Sequence, residues 1–179
     1  MLEKAIFLDR DGVINEVLTK RVKFVNRPED FYLLDGVGEA VKILNELNYK
    51  VFVVTNQGGI GLGYMKEKAL GKVHETMKAK LADFGAVIGD IAYCPHKPHA
   101  GCKCRKPEPQ MLHELAEKHR IDLKKSYMVG DRTPDIEAGR KAGTKTVLVG
   151  NRKEKVKADL RFNNLHAFAI WLKEKEKDA

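Results

Sequence analysis

The chain has 179 residues, enough for one α/β domain with its own core and too few for two ordinary ones. Its 43% apolar and 32% charged residues describe a globular protein, and no apolar run approaches the length needed to cross a bilayer. The formal charge of +8 admits a nucleic-acid partner, but the lysines at 153–157 and 173–177 are interleaved with glutamates, as on a solvated surface, so neither nucleic acid nor membrane is expected.

Met1-Leu2-Glu3-Lys4 runs directly into the first strand, which leaves no room for a secretory leader, and a cytoplasmic protein is expected. Ile6-Phe7-Leu8 has the unbroken apolar character of a strand buried on both faces, and it ends in Asp9-Arg10-Asp11-Gly12. Two acids placed together where a buried strand ends raise each other's pKa unless a cation sits between them, which suggests a metal site; a plain turn at Asp11-Gly12 is the alternative. The segment Asn15–Asp30 has no clean period and carries Thr19-Lys20-Arg21-Val22-Lys23. A connection of that length is expected near the mouth of a site, where Arg21 and Lys23 either meet an anionic substrate or serve as ordinary surface charges.

Val37–Leu47 has apolar residues at helical spacing, and Val51–Thr55 is a second buried strand, ending in Thr55-Asn56-Gln57-Gly58-Gly59. A right-handed βαβ unit brings Asp9, Asp11 and Thr55 to one edge of a parallel sheet, where a glycine-rich turn offers N–H groups to an anion; Thr55 alone reads equally as a cap or turn hydroxyl. Met65–Phe84 is an amphipathic helix, and Asp90–Tyr93 a short third strand.

All three cysteines follow, in Cys94-Pro95-His96-Lys97-Pro98-His99-Ala100-Gly101-Cys102-Lys103-Cys104. An odd cysteine count with interleaved histidine argues against disulfides and for a closed zinc site of Cys94, His96, Cys102 and Cys104, with His99 as a rival ligand and free thiols as the alternative. Arg105-Lys106-Pro107 comes next, before the helix Gln110–Arg120, so a knot upstream would fix two cations as a phosphate clamp; otherwise they are surface charges. The strand Ser126–Val129 opens onto Asp131 and Asp135; Asp135 reads as a cap of the helix Ile136–Ala142. A fifth strand, Thr146–Gly150, a loop, Asn151–Lys157, and a closing helix, Asn164–Lys175, complete the chain.

Together, Asp9-x-Asp11-Gly12-Val13, Thr55-Asn56-Gln57, Lys106-Pro107 and Gly130-Asp131-x-x-x-Asp135 resemble the motifs of the haloacid dehalogenase-like phosphohydrolases, over residues 5 to about 150. The zinc loop with Cys104-Arg105-Lys106-Pro107 is similar to that of the heptose bisphosphate phosphatases and the related histidinol-phosphate phosphatases. The resemblance implies a Rossmann-like three-layer α/β sandwich with a mostly parallel central sheet. Short gaps between elements leave no room for a large cap domain, so one domain over 1–179 is expected, with the zinc loop 94–104 inserted.

The resemblance further implies Asp9 as nucleophile, Asp11 as general acid and base, and Thr55 and Lys106 as phosphoryl ligands. Mg²⁺ would be held by Asp9, Asp11 through its backbone carbonyl, and Asp131; Zn²⁺ would be structural. Asn56, Gln57, Arg105 and Arg132 are expected to bind substrate, Arg105 at the phosphate that is not cleaved. The substrate would be a small phosphorylated metabolite taken up by a monomer: a heptose bisphosphate, or alternatively histidinol phosphate. A non-catalytic zinc-stabilised binding domain would lack one of these groups, and all are present. The segment 15–25 is longer and more basic than the corresponding substrate loop of the heptose phosphatases.

Overall fold

A computed structural model describes residues 1–179. Six strands, β1 (Ala5–Leu8), β2 (Lys50–Asn56), β3 (Asp90–Cys94), β4 (Tyr127–Gly130), β5 (Lys145–Val149) and β6 (Leu160–Phe162), form one sheet in the order β3-β2-β1-β4-β5-β6, with every neighbouring pair parallel. Five helices connect or follow them: α1 (Val37–Glu46), α2 (Glu67–Ala82), α3 (Gln110–His119), α4 (Thr133–Ala142) and α5 (Leu165–Lys177).

The alternation of strand side chains builds two cores, one on each face of the sheet. Ile6 and Leu8 of β1, with Val51 and Val53 of β2, pack on one face beneath α1, α2 and α5, in a cluster that includes Val41, Met77 and Phe168. Ala5, Phe7, Phe52 and Val54 pack on the other face beneath α3 and α4, with Met111, Leu112 and Ala138. The three layers that the resemblance implies are therefore present, and the sheet, expected to be mostly parallel, is parallel throughout.

The chain steps from β1 outward to β2 and β3, then returns to the other side of β1 for β4, β5 and β6. Such a reversal opens a crevice beyond the carboxyl ends of the strands, here between β1 and β4. Every group of the site lies along this edge. The largest connections there, 9–36 and 95–109, are loops rather than inserted domains.

Three local differences from the sequence reading have physical causes. β6 is too short to show a period, and its identity rests on pairing with β5, Val147 opposite Leu160 and Val149 opposite Phe162. The fourth helix begins at Thr133 rather than Ile136, because Pro134 suits a first turn and the Asp135 carboxylate accepts the Arg132 N–H there. The closing helix runs two residues further, to Lys177, with Asn164 outside it as a cap that accepts the Ala167 N–H at 2.8 Å.

Candidate active site and zinc knot

The site starts from the turn after β1. The Asp9 N–H continues the sheet ladder to the Val129 carbonyl (3.0 Å), and the N–H groups of Val13, Ile14 and Asn15 all close on the Arg10 carbonyl. Gly12 completes the turn at φ +85, and a Cβ there would run into the Asp131 carboxylate, so glycine is required by both conformation and space. Asp9 and Asp131, from strands adjacent in the sheet, are thereby brought face to face.

Lys106 enters from the other layer and is buried, as are Asp9, Asp131 and Asp135. Its ammonium donates to Asp9 Oδ1 (2.8 Å), to Asp135 Oδ1 (2.7 Å) and to the Val54 carbonyl (2.8 Å), which uses all three N–H bonds. Its backbone is clasped by Asn56, which accepts the Lys106 N–H at 2.9 Å and donates to the Lys106 carbonyl at 3.1 Å. Asn56 thus fixes the lysine as well as lining the cavity.

Asp135 does more than the capping its sequence position suggested. Its Oδ2 accepts the N–H groups of Asp131 and Arg132, both at 3.2 Å, while Oδ1 holds Lys106. Its spacing from Asp131 is already part of the motif, but its role is not: one turn after Asp131, a residue in the first turn of α4 can face back into the crevice.

Two of the three buried carboxylates share one ammonium, the third, Asp131, has Arg152 at 3.4 Å from its Oδ2, and the electrostatics follow. Burial, then the neighbouring Asp135 charge, push the Asp9 carboxyl well above the usual carboxylate range against the downward pull of Lys106. Asp131 is pushed up to about 6 by burial and Asp135. Burial alone would lower the Lys106 ammonium, but Asp135 and Asp9 outweigh it and hold the pKa above its ordinary value. Asp131 Oδ1 is buried with no hydrogen-bond partner, and carboxylate oxygens of Asp9, Asp131 and Asp135 lie within 4.8 Å of one another. An orphaned anionic oxygen in an acidic cluster fits a hard divalent cation such as Mg²⁺.

The Asp11 carboxylate stands apart from this cluster. Burial opposes its charge, but Arg10 and Asn15 more than compensate and its pKa lies below the ordinary value. Its Oδ1 accepts from Arg10 (3.1 and 2.8 Å) and Asn15 (2.9 Å), and its Oδ2 from Gln57 (3.4 Å). The Asp11 carboxylate is not part of the acidic cluster of Asp9, Asp131 and Asp135, and the Asp11 backbone carbonyl is the atom expected to face a metal there. Gln57 also donates to the Thr55 hydroxyl at 2.8 Å, so Thr55, Gln57 and Asp11 form one chain of contacts.

The cavity above these groups measures about 930 Å³ and is lined by Asp9, Asp11, Asn56, Gln57, Lys106, Asp131 and Asp135 at its polar end. Lys23, Arg105, Arg132 and Arg152 line it as well, so several cations surround the acidic floor. Of the two loop cations singled out in the sequence, Lys23 reaches the cavity, whereas Arg21 turns away to a bidentate contact with Glu16 (2.9 and 2.7 Å) over the Tyr32 ring. Buried Val22 and Val25 pin the loop between them to the core.

Beside the cavity, Cys94, His96, Cys102 and Cys104 converge with all four ligand atoms within 4.8 Å. Cys94 Sγ lies 3.6 Å from Cys102 Sγ, and His96 Nδ1 lies 3.3 and 3.2 Å from the sulfurs of Cys94 and Cys104. The Cys94 and Cys104 sulfurs are closer still, at 2.7 Å, and tetrahedral zinc with Zn–S of about 2.3 Å would set such edges at about 3.8 Å; what fits that ion is the donor set, three thiols and one imidazole converging on one point. His99, the rival ligand, sits in a turn at φ +62, lines the cavity and stays outside the cluster. The knot ends at Cys104, and the next two residues are Arg105 and Lys106.

Residues 103–169 match the HAD-hydrolase-like family model. The chain is 39% identical over 178 residues to the D-glycero-alpha-D-manno-heptose-1,7-bisphosphate 7-phosphatase of Campylobacter jejuni, covering 98% of this chain and 99% of the relative. It is 40% identical to the D-glycero-beta-D-manno-heptose-1,7-bisphosphate 7-phosphatase of Haemophilus ducreyi, covering 92% and 96%. The crystal structure of the D,D-heptose 1,7-bisphosphate phosphatase from B. bronchiseptica, complexed with magnesium and phosphate, superposes with a TM-score of 0.88 at 31% identity, over 97% of this chain and 99% of that one. A likeness that runs through the whole length, joined to a site in which the expected motif residues meet, leaves one conclusion: the chain belongs to the heptose-1,7-bisphosphate 7-phosphatase family of haloacid dehalogenase-like phosphatases.

Proposed function

We propose that this phosphatase removes the 7-phosphate of D-glycero-D-manno-heptose 1,7-bisphosphate through a phosphoenzyme on Asp9. The observation that carries the substrate is the near end-to-end match, at 39–40% identity, to phosphatases named for it. No feature of the site favours histidinol phosphate, which therefore serves as the control.

Lys106 occupies Asp9 Oδ1, which leaves Oδ2 to attack phosphorus in line with the departing sugar oxygen. The new Asp9 O–P bond forms as the P–O bond to the sugar breaks, and Asp11, carrying its proton on Oδ2 because Arg10 and Asn15 take Oδ1, gives it to the leaving oxygen, its lowered pKa making it a strong acid. Asp11 then takes a proton from water, whose oxygen attacks the phosphoryl group and returns the Asp9 carboxylate and inorganic phosphate. The Thr55 hydroxyl accepts from Gln57, so its own O–H is free to donate to a phosphoryl oxygen, and Lys106 supplies a fixed positive charge beside it. Mg²⁺ bound by Asp9, the Asp11 carbonyl and Asp131 would neutralise charge on the phosphoryl oxygens.

Arg105 and Arg132 line the cavity and contact the rest of the substrate, Arg105 taking the uncleaved phosphate in its planar fork. Asn56 and Gln57 act from within the same wall. The zinc knot is structural, and its thiolates suit a reducing compartment such as the cytoplasm. Every group named comes from one chain, so a monomer suffices, and no helix is long and apolar enough to cross a membrane.

The test is kcat/KM with Mg²⁺ for both anomers of the heptose 1,7-bisphosphate and for L-histidinol phosphate. Both anomers are needed because relatives named for each match about equally well. A preference of about a hundredfold or more for a heptose anomer, about 2.7 kcal/mol of differential transition-state binding, is expected. Preference for histidinol phosphate would overturn the reading.

A further inference from the structure

The mechanism above leaves one buried pair of side chains unused. Arg10 has no exposed surface and is the largest fully buried side chain in the protein, and its partner beyond the catalytic turn is His74, in the middle of α2. One terminal nitrogen of Arg10 lies 3.1 Å from His74 Nε2, while the other and Nε both donate to Asp11 Oδ1. A guanidinium has donors and no acceptor, so His74 must offer a lone pair at Nε2 and be neutral. Burial and the Arg10 charge, which drive the imidazole pKa down to about 3, agree with that.

His74 stands on the buried face of a helix whose other buried positions, Leu70, Val73, Met77 and Leu81, are apolar. A polar ring among them costs stability unless it is satisfied, and what satisfies it is the residue that grips Asp11. Asn15 and Gln57 also touch that carboxylate, but Arg10 is the one charged donor and the one tied to a helix outside the phosphoryl site. The turn that leads into α2 carries Leu62, Tyr64 and Met65, which line the cavity, so the helix that bears His74 follows the cavity wall directly in the chain.

We propose that Arg10 and His74 are positioning residues that hold the Asp11 carboxyl where it can protonate the departing sugar oxygen. This rests on the reading of Asp11 as the acid. The pair touches neither phosphorus nor metal ligands' side chains in the Asp9–Asp131–Asp135 cluster, and its role is confined to where the Asp11 proton is delivered.

The experiment exploits leaving groups. A sugar alkoxide needs a proton as it departs, whereas nitrophenolate is a stable anion and leaves without one. Single-turnover rates, with enzyme in excess, are measured for the heptose bisphosphate and for 4-nitrophenyl phosphate; this isolates the step in which the leaving group departs. His74→Leu should slow the sugar substrate by about thirtyfold and the aryl phosphate by less than about threefold. The ratio of the two rates on one preparation is independent of how much of it is folded. His74→Gln, whose carboxamide oxygen can accept the same Arg10 N–H, should restore most of the ratio.

If His74→Leu changes both rates equally, or neither, the proposal is wrong. Asp11→Asn is the reference: should it fail to discriminate between the substrates, the assignment of Asp11 as acid falls. If Asp11→Asn discriminates and His74→Leu does not, the acid stands and the positioning role alone is lost.

Discussion

Replacing Lys106 by methionine keeps the length of the side chain and removes the one ammonium among three buried carboxylates. Asp9 and Asp135 would each lose a charge-assisted hydrogen bond of 2.8 and 2.7 Å, and the Val54 carbonyl a third bond. Removing one partner of a buried ion pair typically costs about 3–5 kcal/mol, because the other charge stays buried. At about 2–4 °C per kcal/mol for a domain of this size, the melting temperature should fall by about 10 °C.

The loss should depend on pH. Without Lys106 the Asp9 carboxyl loses a group that lowers its pKa, which burial and Asp135 already hold well above the ordinary value. The folded state then binds more protons than the unfolded chain, so its stability falls as pH rises from the ordinary carboxylate range through the raised folded value. The deficit relative to wild type should be smaller at about pH 5 than at about pH 8. Urea denaturation at both pH values in Mg²⁺-free buffer measures it, beside a loss of about 10³-fold in kcat/KM with Mg²⁺ present. A variant within about 1 kcal/mol of wild type at the higher pH, or a deficit that grows on acidification, would refute the account of the cluster.

Asp9→Asn keeps the shape and an acceptor for Lys106 but lacks the nucleophile, so turnover should drop by about 10⁴-fold or more with the circular dichroism unchanged; retained activity would sink the phosphoenzyme. Stripping zinc with a chelator should lower the melting temperature by several degrees and depress kcat/KM with it, because Arg105 and Lys106 follow the last zinc ligand directly. With Mg²⁺ supplied in every activity assay, added Zn²⁺ should restore both and Mg²⁺ alone neither, and an unchanged melting curve after metal removal would show that the knot is ordered by its own packing.

Much of this molecule was legible along the chain because its information is local. Ile6–Leu8 and Val51–Thr55 read as buried strands because both faces of a covered parallel strand must be apolar, and the polar clusters that end them marked the working edge of the sheet. Cys94, His96, Cys102 and Cys104 identified themselves by chemistry and proximity in sequence, with His99 separated from His96 only by the backbone of the turn. β6 escaped, since three residues show no period and their strand character exists only in register with β5.

What the tertiary structure alone decided is which charges meet. Asp135 looked like a helix cap and proved to be the second carboxylate on Lys106, a contact across 29 positions of sequence. Arg21 and Lys23 were indistinguishable as loop cations until folding gave one to Glu16 and the other to the cavity. Arg10 sat unremarked between two aspartates, and its meaning came from His74, 64 residues away. Hydrophobic periodicity is a property of neighbours along the chain, and so it survives in the sequence. A buried ion pair is a property of neighbours in space, created when loops and helix ends far apart in the chain close on the same crevice, and no spacing along the chain encodes it.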